Sequence, residues 1–267
     1  MVIEWNAHIF SPNRERYPFH PRAAYTPDLT GEPMDPLGAY LARMEREGID
    51  RAVIVHPEPY GDDHRLIREC LAREPERLKG TALFYPSDAD APARLEALVR
   101  EEPHIIASRF HAHRGKEMYL NSFSDASVRE LWEKSVELGL IVELHIGPNY
   151  ARQAGEVIRD LGGTVLIDHL AEPHMGTGVE FADVLELAQL PNVYMKLSGL
   201  GHFAEDGPLY LSARPFTRRV IREFGPDRMV WGSGAPAIVD AHMPEYSEED
   251  RAKVRGGNLA RLLGWSA

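Results

Sequence analysis

The sequence contains a single cysteine, Cys70, so no disulfide can form within the chain. We interpret it as an ordinary thiol on a helix face in a reducing compartment. No apolar run approaches the roughly 18 residues that a transmembrane helix needs, and Met1 is not followed by the basic and apolar segments of a signal peptide. These absences lead us to expect a cytoplasmic protein.

Positive charge is also scarce, because 30 Lys and Arg stand against 41 Asp and Glu, a net charge of -11. Nucleic acids and anionic membranes are bound by clustered Lys and Arg, so we expect neither as a partner. No glycine-rich dinucleotide fingerprint follows the first predicted strand, which removes the commonest reason to expect an open doubly wound sheet. We therefore expect a small-molecule substrate and no organic cofactor, and a homo-oligomer stays open.

The chain does contain a regular alternation of short apolar runs and longer stretches with helical periodicity. The predicted strands are 2–6, 52–56, 80–84, 105–111, 140–145, 164–168, 193–197 and 228–232. The predicted helices are 36–47, 62–74, 91–101, 125–138, 150–161, 178–190, 209–224 and 247–263. Eight such units predict an α/β fold, a single (β/α)8 TIM barrel over residues 1–267, with an open doubly wound sheet as the alternative.

Polar side chains gather where the predicted strands end. Alternate residues of a strand share a face, so Glu4, Asn6 and His8 are expected to line the barrel interior. The same alternation predicts further interior residues: Arg109, His111 and His113 on the fourth strand, Glu143 and His145 on the fifth, His169 with Val165 and Ile167 on the sixth, and Tyr194, Lys196 and Ser198 on the seventh. Barrel enzymes carry their chemistry at this end of the strands.

Three histidines, His8, His145 and His169, lie at the tips of the first, fifth and sixth predicted strands. Neutral imidazoles that converge on one point suit a divalent metal such as zinc, and they can also act as general acids and bases. We expect His111, His113 and His174 near the tips as well, where simple solvent exposure explains them almost equally well.

Two basic residues, Arg109 and Lys196, are predicted to face the barrel interior. The forked guanidinium of Arg109 matches a carboxylate, which indicates an acidic substrate, but a structural ion pair with Glu143 or Glu4 explains it equally well. Lys196 is predicted to be a member of an internal ion pair.

Further motifs occur in a fixed order along nearly the whole chain. They are IEWNAH at 3–8, IDRAVIV at 49–55, LH at 144–145, IDHL at 167–170, KLSG at 196–199, FGPDR at 224–228, WGSGAP at 231–236 and GGNLAR at 256–261. In this order they resemble the amidohydrolase-related family, the metal-dependent hydrolase barrels of the amidohydrolase superfamily that include 2-pyrone-4,6-dicarboxylate lactonase and related decarboxylases.

The resemblance implies a metal site with two altered positions. In the family the first strand ends in His-x-His or Glu-x-His, the fifth and sixth strands each supply a His, and the eighth supplies an Asp that is both ligand and general base. His8, His145 and His169 match, whereas Asn6 and Gly234 replace the other two. A divalent metal, zinc by preference, held by His8, His145 and His169 is one alternative, and a site without metal is the other.

The resemblance also implies the function. The leading hypothesis is a hydrolase acting on a small carboxylated substrate, such as a lactone or similar cyclic ester. The expected binding residues are Arg109, His111, Asn6 and Ser198, and the expected catalytic residues are His8, His145 and His169, with Glu143, Glu172 or a histidine as the base that Gly234 cannot be. The alternatives are a decarboxylase, lyase or isomerase of a small unsaturated or aromatic acid, and a non-catalytic binding barrel.

Overall fold

The computed structural model describes residues 1–112 and 119–265 of the chain. Eight parallel strands form one sheet in the order of the chain. They are β1 (Ile3–Ala7), β2 (Arg51–Ile54), β3 (Leu78–Ala82), β4 (Ile105–His111), β5 (Ile141–His145), β6 (Val165–Ile167), β7 (Val193–Leu197) and β8 (Met229–Trp231). Because β8 lies beside β1, the sheet curls into a nearly closed barrel. The TIM-barrel prediction is confirmed.

Helices surround the sheet. They are α1 (Pro36–Glu47), α2 (Arg65–Arg73), α3 (Ala91–Glu101), α4 (Ala126–Glu137), α5 (Ala151–Leu161), α6 (Gly178–Glu186), α7 (Arg214–Phe224), α8 (Ala237–His242), α9 (Glu248–Ala252) and α10 (Asn258–Leu263). The short α8 was not predicted, and a π-helical turn, Lys253–Gly257, divides the predicted helix 247–263 into α9 and α10. Within the described ranges, no helix has the length and apolar character needed to cross a membrane.

Local sequence signals fix the ends of α1. The Asp35 side chain accepts a hydrogen bond from the backbone N–H of Gly38, and Pro36 occupies the first helical position, where a missing N–H costs nothing. Gly48 ends the helix in the left-handed conformation. The observed bounds of α1 therefore equal the predicted ones.

The interior of the barrel is a separate apolar cluster beneath the polar end of the strands. Its members come from alternate positions of the strands: Ile3, Trp5, Val53, Val55, Ala107, Ile141, Leu166 and Val230. Leu259 of α10 belongs to the same cluster, and Trp265 packs against it, so the C-terminal segment covers one end of the barrel interior.

The predicted alternation on β1 is wrong for its first half. Trp5 faces the interior, where its Nε1 donates to Oε1 of Glu143 at 3.0 Å. Glu4 points outward and accepts hydrogen bonds from Tyr40 and Arg43 of α1. The pairing register with β2 shifts between Trp5 and Ala7. This irregularity reverses the alternation, so that His8 still turns toward the barrel end.

The predicted face of β6 is wrong as well. Val165 and Ile167 pack in the outer, helix-facing core, whereas Leu166 lies in the inner cluster. By the same alternation Asp168 points into the barrel, where it meets the charged groups described below. His169 follows the strand and reaches the site only through an unusual backbone turn.

Candidate active site

Four charged side chains fill the barrel beneath its polar end, and we call them the buried charge cluster: Arg109, Glu143, Asp168 and Lys196. The Nζ atom of Lys196 lies 2.5 Å from Oε1 of Glu143 and 2.6 Å from Oδ1 of Asp168. Arg109 donates to Oδ2 of Asp168 from Nη2 at 2.7 Å and from Nε at 3.1 Å. Each side chain is at most 2% exposed, so two carboxylates and two cations neutralise one another away from water.

The two carboxylates of this cluster respond to their surroundings in opposite directions. Burial and the neighbouring Asp168 charge raise the pKa of Glu143 to about 7. Burial alone would also raise the pKa of Asp168, but the Lys196 and Arg109 charges outweigh it and hold that pKa well below its usual value. Asp168 is therefore the carboxylate that anchors both cations.

Above the buried charge cluster, Arg109 also contacts two histidines. Its Nη1 lies 2.8 Å from Nε2 of His111, and its Nη2 lies 3.0 Å from Nδ1 of His145. The His145 ring in turn lies 4.9 Å, centre to centre, from the ring of His169. One guanidinium thus links the ion pairs below to the imidazoles above.

The turn after β6 is left-handed over four consecutive residues. His169, Leu170, Ala171 and Glu172 have φ angles of 51°, 57°, 57° and 49°. Each costs about 1–2 kcal/mol relative to the right-handed conformation for a residue with a side chain. Strain of this kind persists where the surrounding structure enforces it, often at functional sites. Here the turn brings both His169 and Glu172 into the site.

The neighbouring β7 loop is shaped to accommodate the His169 ring. Gly199 has a φ of 65°, and a Cβ atom at this position would lie 2.6 Å from the His169 ring. Ser198 lies 2.8 Å from Nδ1 of His169 through its Oγ. The loop therefore packs on one face of the imidazole and fixes its orientation.

The Glu172 carboxylate contacts histidines from the end of β5 and from the turn after β7. It is 1% exposed, and its Oε1 accepts a hydrogen bond from Nε2 of His145 at 3.0 Å. Nδ1 of His202 donates to the same carboxylate at 3.0 Å. Nδ1 of His174 lies farther away, at 3.7 Å. We call His145, His169, Glu172 and His202 the imidazole cluster.

His202 is the member of this cluster that sequence reasoning missed. It lies in a short 3-10 turn after β7, Leu200–His202, and its ring lies 5.0 Å from that of His169. Its side chain is 42% exposed, whereas His145, His169 and Glu172 are almost fully buried. His202 therefore forms the solvent-facing side of the cluster.

The end of β1 lines a crevice of about 470 Å³. Asn6, His8 and Gly234 all border it, so the two altered family positions lie on one wall. Nδ1 of His8 donates to the backbone carbonyl of Val55 at 2.9 Å, and the ring is exposed. The protein atoms around it and the Arg109 charge still lower its pKa to about 3, so His8 is neutral.

The residues present fit a divalent cation in donor type and spacing. One ligand atom from each of His145, His169 and Glu172 lies within 4.8 Å of the other two, and all three residues are buried. Two imidazoles and one carboxylate are a set that zinc accepts. This group differs from the predicted one, because Glu172 takes the place of His8. A ligand role for His8 stays a prediction.

The structure also shows the positions and contacts of the other predicted site residues. Arg109 forms a structural ion pair with Glu143 at 3.8 Å, as one interpretation held, and a closer one with Asp168 at 2.7 Å. Glu143 is fully buried against Lys196 and Trp5, below the imidazoles. The ion-pair prediction for Lys196 is confirmed. Ser198 contacts His169, and His113 lies outside the described residues.

The sequence profile of the amidohydrolase family matches residues 3–265. The chain belongs to the amidohydrolase family. Over 275 residues this amidohydrolase is 27% identical to a 4-sulfomuconolactone hydrolase from Hydrogenophaga intermedia, covering 96% of this chain and 86% of the relative. It is 26% identical to an L-fucono-1,5-lactonase from Burkholderia ambifaria, covering 82% of this chain and 81% of the relative.

The same fold occurs in a crystal structure of a probable 2-pyrone-4,6-dicarboxylic acid hydrolase from Acinetobacter baumannii with citric acid bound. The two structures superpose with a TM-score of 0.80 over 99% of each chain, at 20% sequence identity. This likeness supports the barrel assignment for our amidohydrolase.

Proposed function

We propose that this amidohydrolase hydrolyses a small lactone. The observation that carries the proposal is the Glu172 carboxylate, which joins the imidazoles of His145 and His202 at the polar end of the barrel. Both curated relatives bear the names of enzymes that open lactones. A carboxylate between two imidazoles supplies the acid and base groups that such a reaction requires.

The base in this proposal is His202. Glu172 accepts a hydrogen bond from the Nδ1–H group of His202, so Nε2 of His202 keeps a lone pair that can take a proton from water. The water oxygen bonds to the acyl carbon of the lactone, and the ring C–O bond then breaks. The proton held by His202 goes to the leaving oxygen, and the Glu172 charge stabilises the imidazolium in between. His202 thus takes the role that Gly234 cannot perform.

The developing oxyanion needs hydrogen-bond donors that are already in place. Nε2 of His145 carries a proton toward Glu172, and His169 lies beside it. We assign polarisation of the lactone carbonyl to His169, because the single N–H of neutral His145 is already donated to Glu172. His8 faces the crevice at the end of β1 and contacts the part of the substrate farther from the ester bond.

We propose a carboxylated lactone as the substrate class. Arg109 is engaged with Asp168, so it does not bind the substrate carboxylate directly. Arg109 donates to Nε2 of His111, which places the proton of that ring on Nδ1, and we assign recognition of the substrate carboxylate to His111. The binding role predicted for Arg109 thus passes to His111.

If a divalent ion binds, His145, His169 and Glu172 would hold it, zinc is the ion we propose, and it would add Lewis-acid polarisation of the carbonyl. The proton transfers described above are assigned to His202, and the Glu172 charge stabilises its imidazolium form.

A panel of carboxylated and uncharged lactones tests the proposal. We expect ring opening of at least one carboxylated lactone, and a fall in kcat of about 10²–10⁴-fold in His202→Gln with little change in KM. His174→Gln is the matched control, because His174 is a neighbouring histidine without a close hydrogen bond to Glu172. Undiminished turnover in His202→Gln would refute the role of His202. Release of carbon dioxide without ring opening would support the decarboxylase alternative instead.

A further inference from the structure

We infer that Arg109 is a positioning residue that fixes the proton of His145 on Nε2 and thereby keeps the affinity of the imidazole cluster for divalent ions low. The catalytic meaning of this inference rests on the proposed lactone hydrolysis, since the Nε2 proton of His145 is donated to Glu172, the carboxylate that positions His202. Its test does not, because it needs no lactone.

The direction of the Arg109–His145 hydrogen bond follows from chemistry alone. A guanidinium has five N–H donors, no acceptor, and stays protonated in proteins. At 3.0 Å from Nη2 of Arg109, Nδ1 of His145 can therefore only accept. A neutral imidazole that accepts at Nδ1 carries its proton on Nε2.

The opposite edge of the His145 ring agrees with this assignment. Nε2 lies 3.0 Å from Oε1 of Glu172, and an ionised carboxylate accepts but does not donate. The hydrogen bonds therefore run in one direction, from Arg109 through His145 to Glu172. His202 donates to the same carboxylate from the other side.

Arg109 cannot easily turn away from this position. It is 2% exposed, and two of its nitrogens bond to Asp168, which Lys196 also holds. Releasing His145 would leave a buried cation without one of its acceptors, which is costly. The buried charge cluster thus acts on the imidazoles above it through this one side chain.

A histidine that binds a metal normally has the reverse arrangement. Its second ring nitrogen donates to a carboxylate, a backbone carbonyl or water. His8 has this arrangement, because its Nδ1 faces the carbonyl of Val55. His145 has a cation in that place. An ion at Nε2 of His145 would have to displace the proton and oppose the Arg109 charge, so its affinity is lowered.

The first test reads the position of the proton directly. Two-bond ¹⁵N–¹H correlation spectra of the full chain, labelled at histidine nitrogens and treated with a chelator, distinguish the two neutral forms of each ring. His145 is assigned by the loss of its signals in His145→Gln. We expect the Nε2–H form near neutral pH. The Nδ1–H form, or a doubly protonated ring, would overturn the inference.

The second test measures zinc binding by calorimetry with zinc chloride and no substrate. Arg109→Gln removes the charge and replaces a group that can only donate by an amide that can also accept, so we expect zinc to bind on the order of 10–100-fold more tightly than to the wild type. Arg43→Gln is the control, because Arg43 donates to Glu4 and to the Gly234 carbonyl and to no member of the imidazole cluster in the described residues. The zinc affinity of this variant should stay within about threefold of the wild-type value. Equal or weaker zinc binding by Arg109→Gln would contradict the inference.

Circular dichroism tests whether Arg109→Gln is folded. If this variant does not fold, the spectra of the wild-type chain decide the question alone. Neither measurement involves catalysis, so the inference can fail while lactone turnover stands, and the reverse.

Discussion

Replacing Lys196 by methionine tests the buried charge cluster at its most enclosed point. The Lys196 ammonium is fully buried and holds two carboxylates, Glu143 at 2.5 Å and Asp168 at 2.6 Å. Methionine fills nearly the same volume but has no charge. The variant would therefore leave two buried carboxylates with Arg109 as their one cation in the cluster.

Removing one partner of a buried ion pair costs about 3–5 kcal/mol, because the remaining charge is left without compensation. We expect Lys196→Met to lower the free energy of unfolding by about that amount. Urea unfolding followed by tryptophan fluorescence measures it, and Trp5 reports locally because its indole bonds to Glu143. Arg218→Ala is the control: it removes a pair that is half exposed and should cost about 0–1 kcal/mol.

A second substitution isolates the charge from the shape. Adding Glu143→Gln to Lys196→Met restores neutrality, so the two changes should be less destabilising together than the sum of each alone, by about 0.5–3 kcal/mol. If Lys196→Met costs no more than the Arg218→Ala control, or if the two changes are additive, the ion pairs are not arranged as described here.

Three further predictions concern histidine and glycine positions. Burial lowers the pKa of His56 to about 4, so the unfolded chain takes up more protons than the folded chain, and the free energy of unfolding should fall as the pH drops from about 6.5 toward 4. Urea unfolding at several pH values should show a shallower fall for His56→Gln than for the wild type. Equal slopes for the two proteins would count against this prediction. Gly199→Ala should reduce lactone turnover, because the added Cβ atom would displace the His169 ring. Gly139 is the control, since it has a similar φ of 71° but no atom near an added Cβ, so Gly139→Ala should leave turnover unchanged. Equal effects of the two substitutions would argue against the packing of Gly199 on His169. Gly234→Asp should lower the free energy of unfolding in urea by about 1–3 kcal/mol, because the φ of 87° at this position disfavours a side chain. We expect calorimetry to show no tighter zinc binding by this variant. A gain in zinc affinity would mean that the family's metal site persists.

The parts of the fold that periodicity and capping control could be predicted from the sequence. The strands β4 and β7 and the helices α1 and α3 have the predicted bounds. For α1 the reason is local, because Asp35 caps its start and Gly48 ends it in the left-handed conformation. The division of 247–263 into two helices could not be predicted, because a π-helical turn does not interrupt the apolar pattern.

The site was predictable where simple alternation holds. Arg109, Glu143 and Lys196 face the interior as expected, because β4 pairs with β5 in unbroken register from Ala107 onward, and Lys196 of β7 reaches Glu143 inside the barrel. Alternation failed on β1 and β6. A register shift follows Trp5, and a left-handed turn begins at His169; neither is visible in a pattern of polar and apolar residues.

His202 escaped the sequence reasoning because it lies in a loop and has no strand to place it. One signal could have found it. Glycines at 199 and 201 mark a tight turn directly after β7, at the end of the barrel where chemistry is expected. Glu172 was one of the candidate bases, whereas the proposal gives that role to a histidine, His202, and the place of Glu172 between two imidazoles depends on the left-handed turn.

The central claim is that Glu172 organises His145 and His202 for lactone hydrolysis. Its most direct test compares initial rates of ring opening for wild type and Glu172→Gln on a lactone that the wild type hydrolyses. The amide is nearly isosteric but carries no charge, so we predict a loss of kcat of at least about 10²-fold with the fold intact. Turnover equal to that of the wild type would contradict the account.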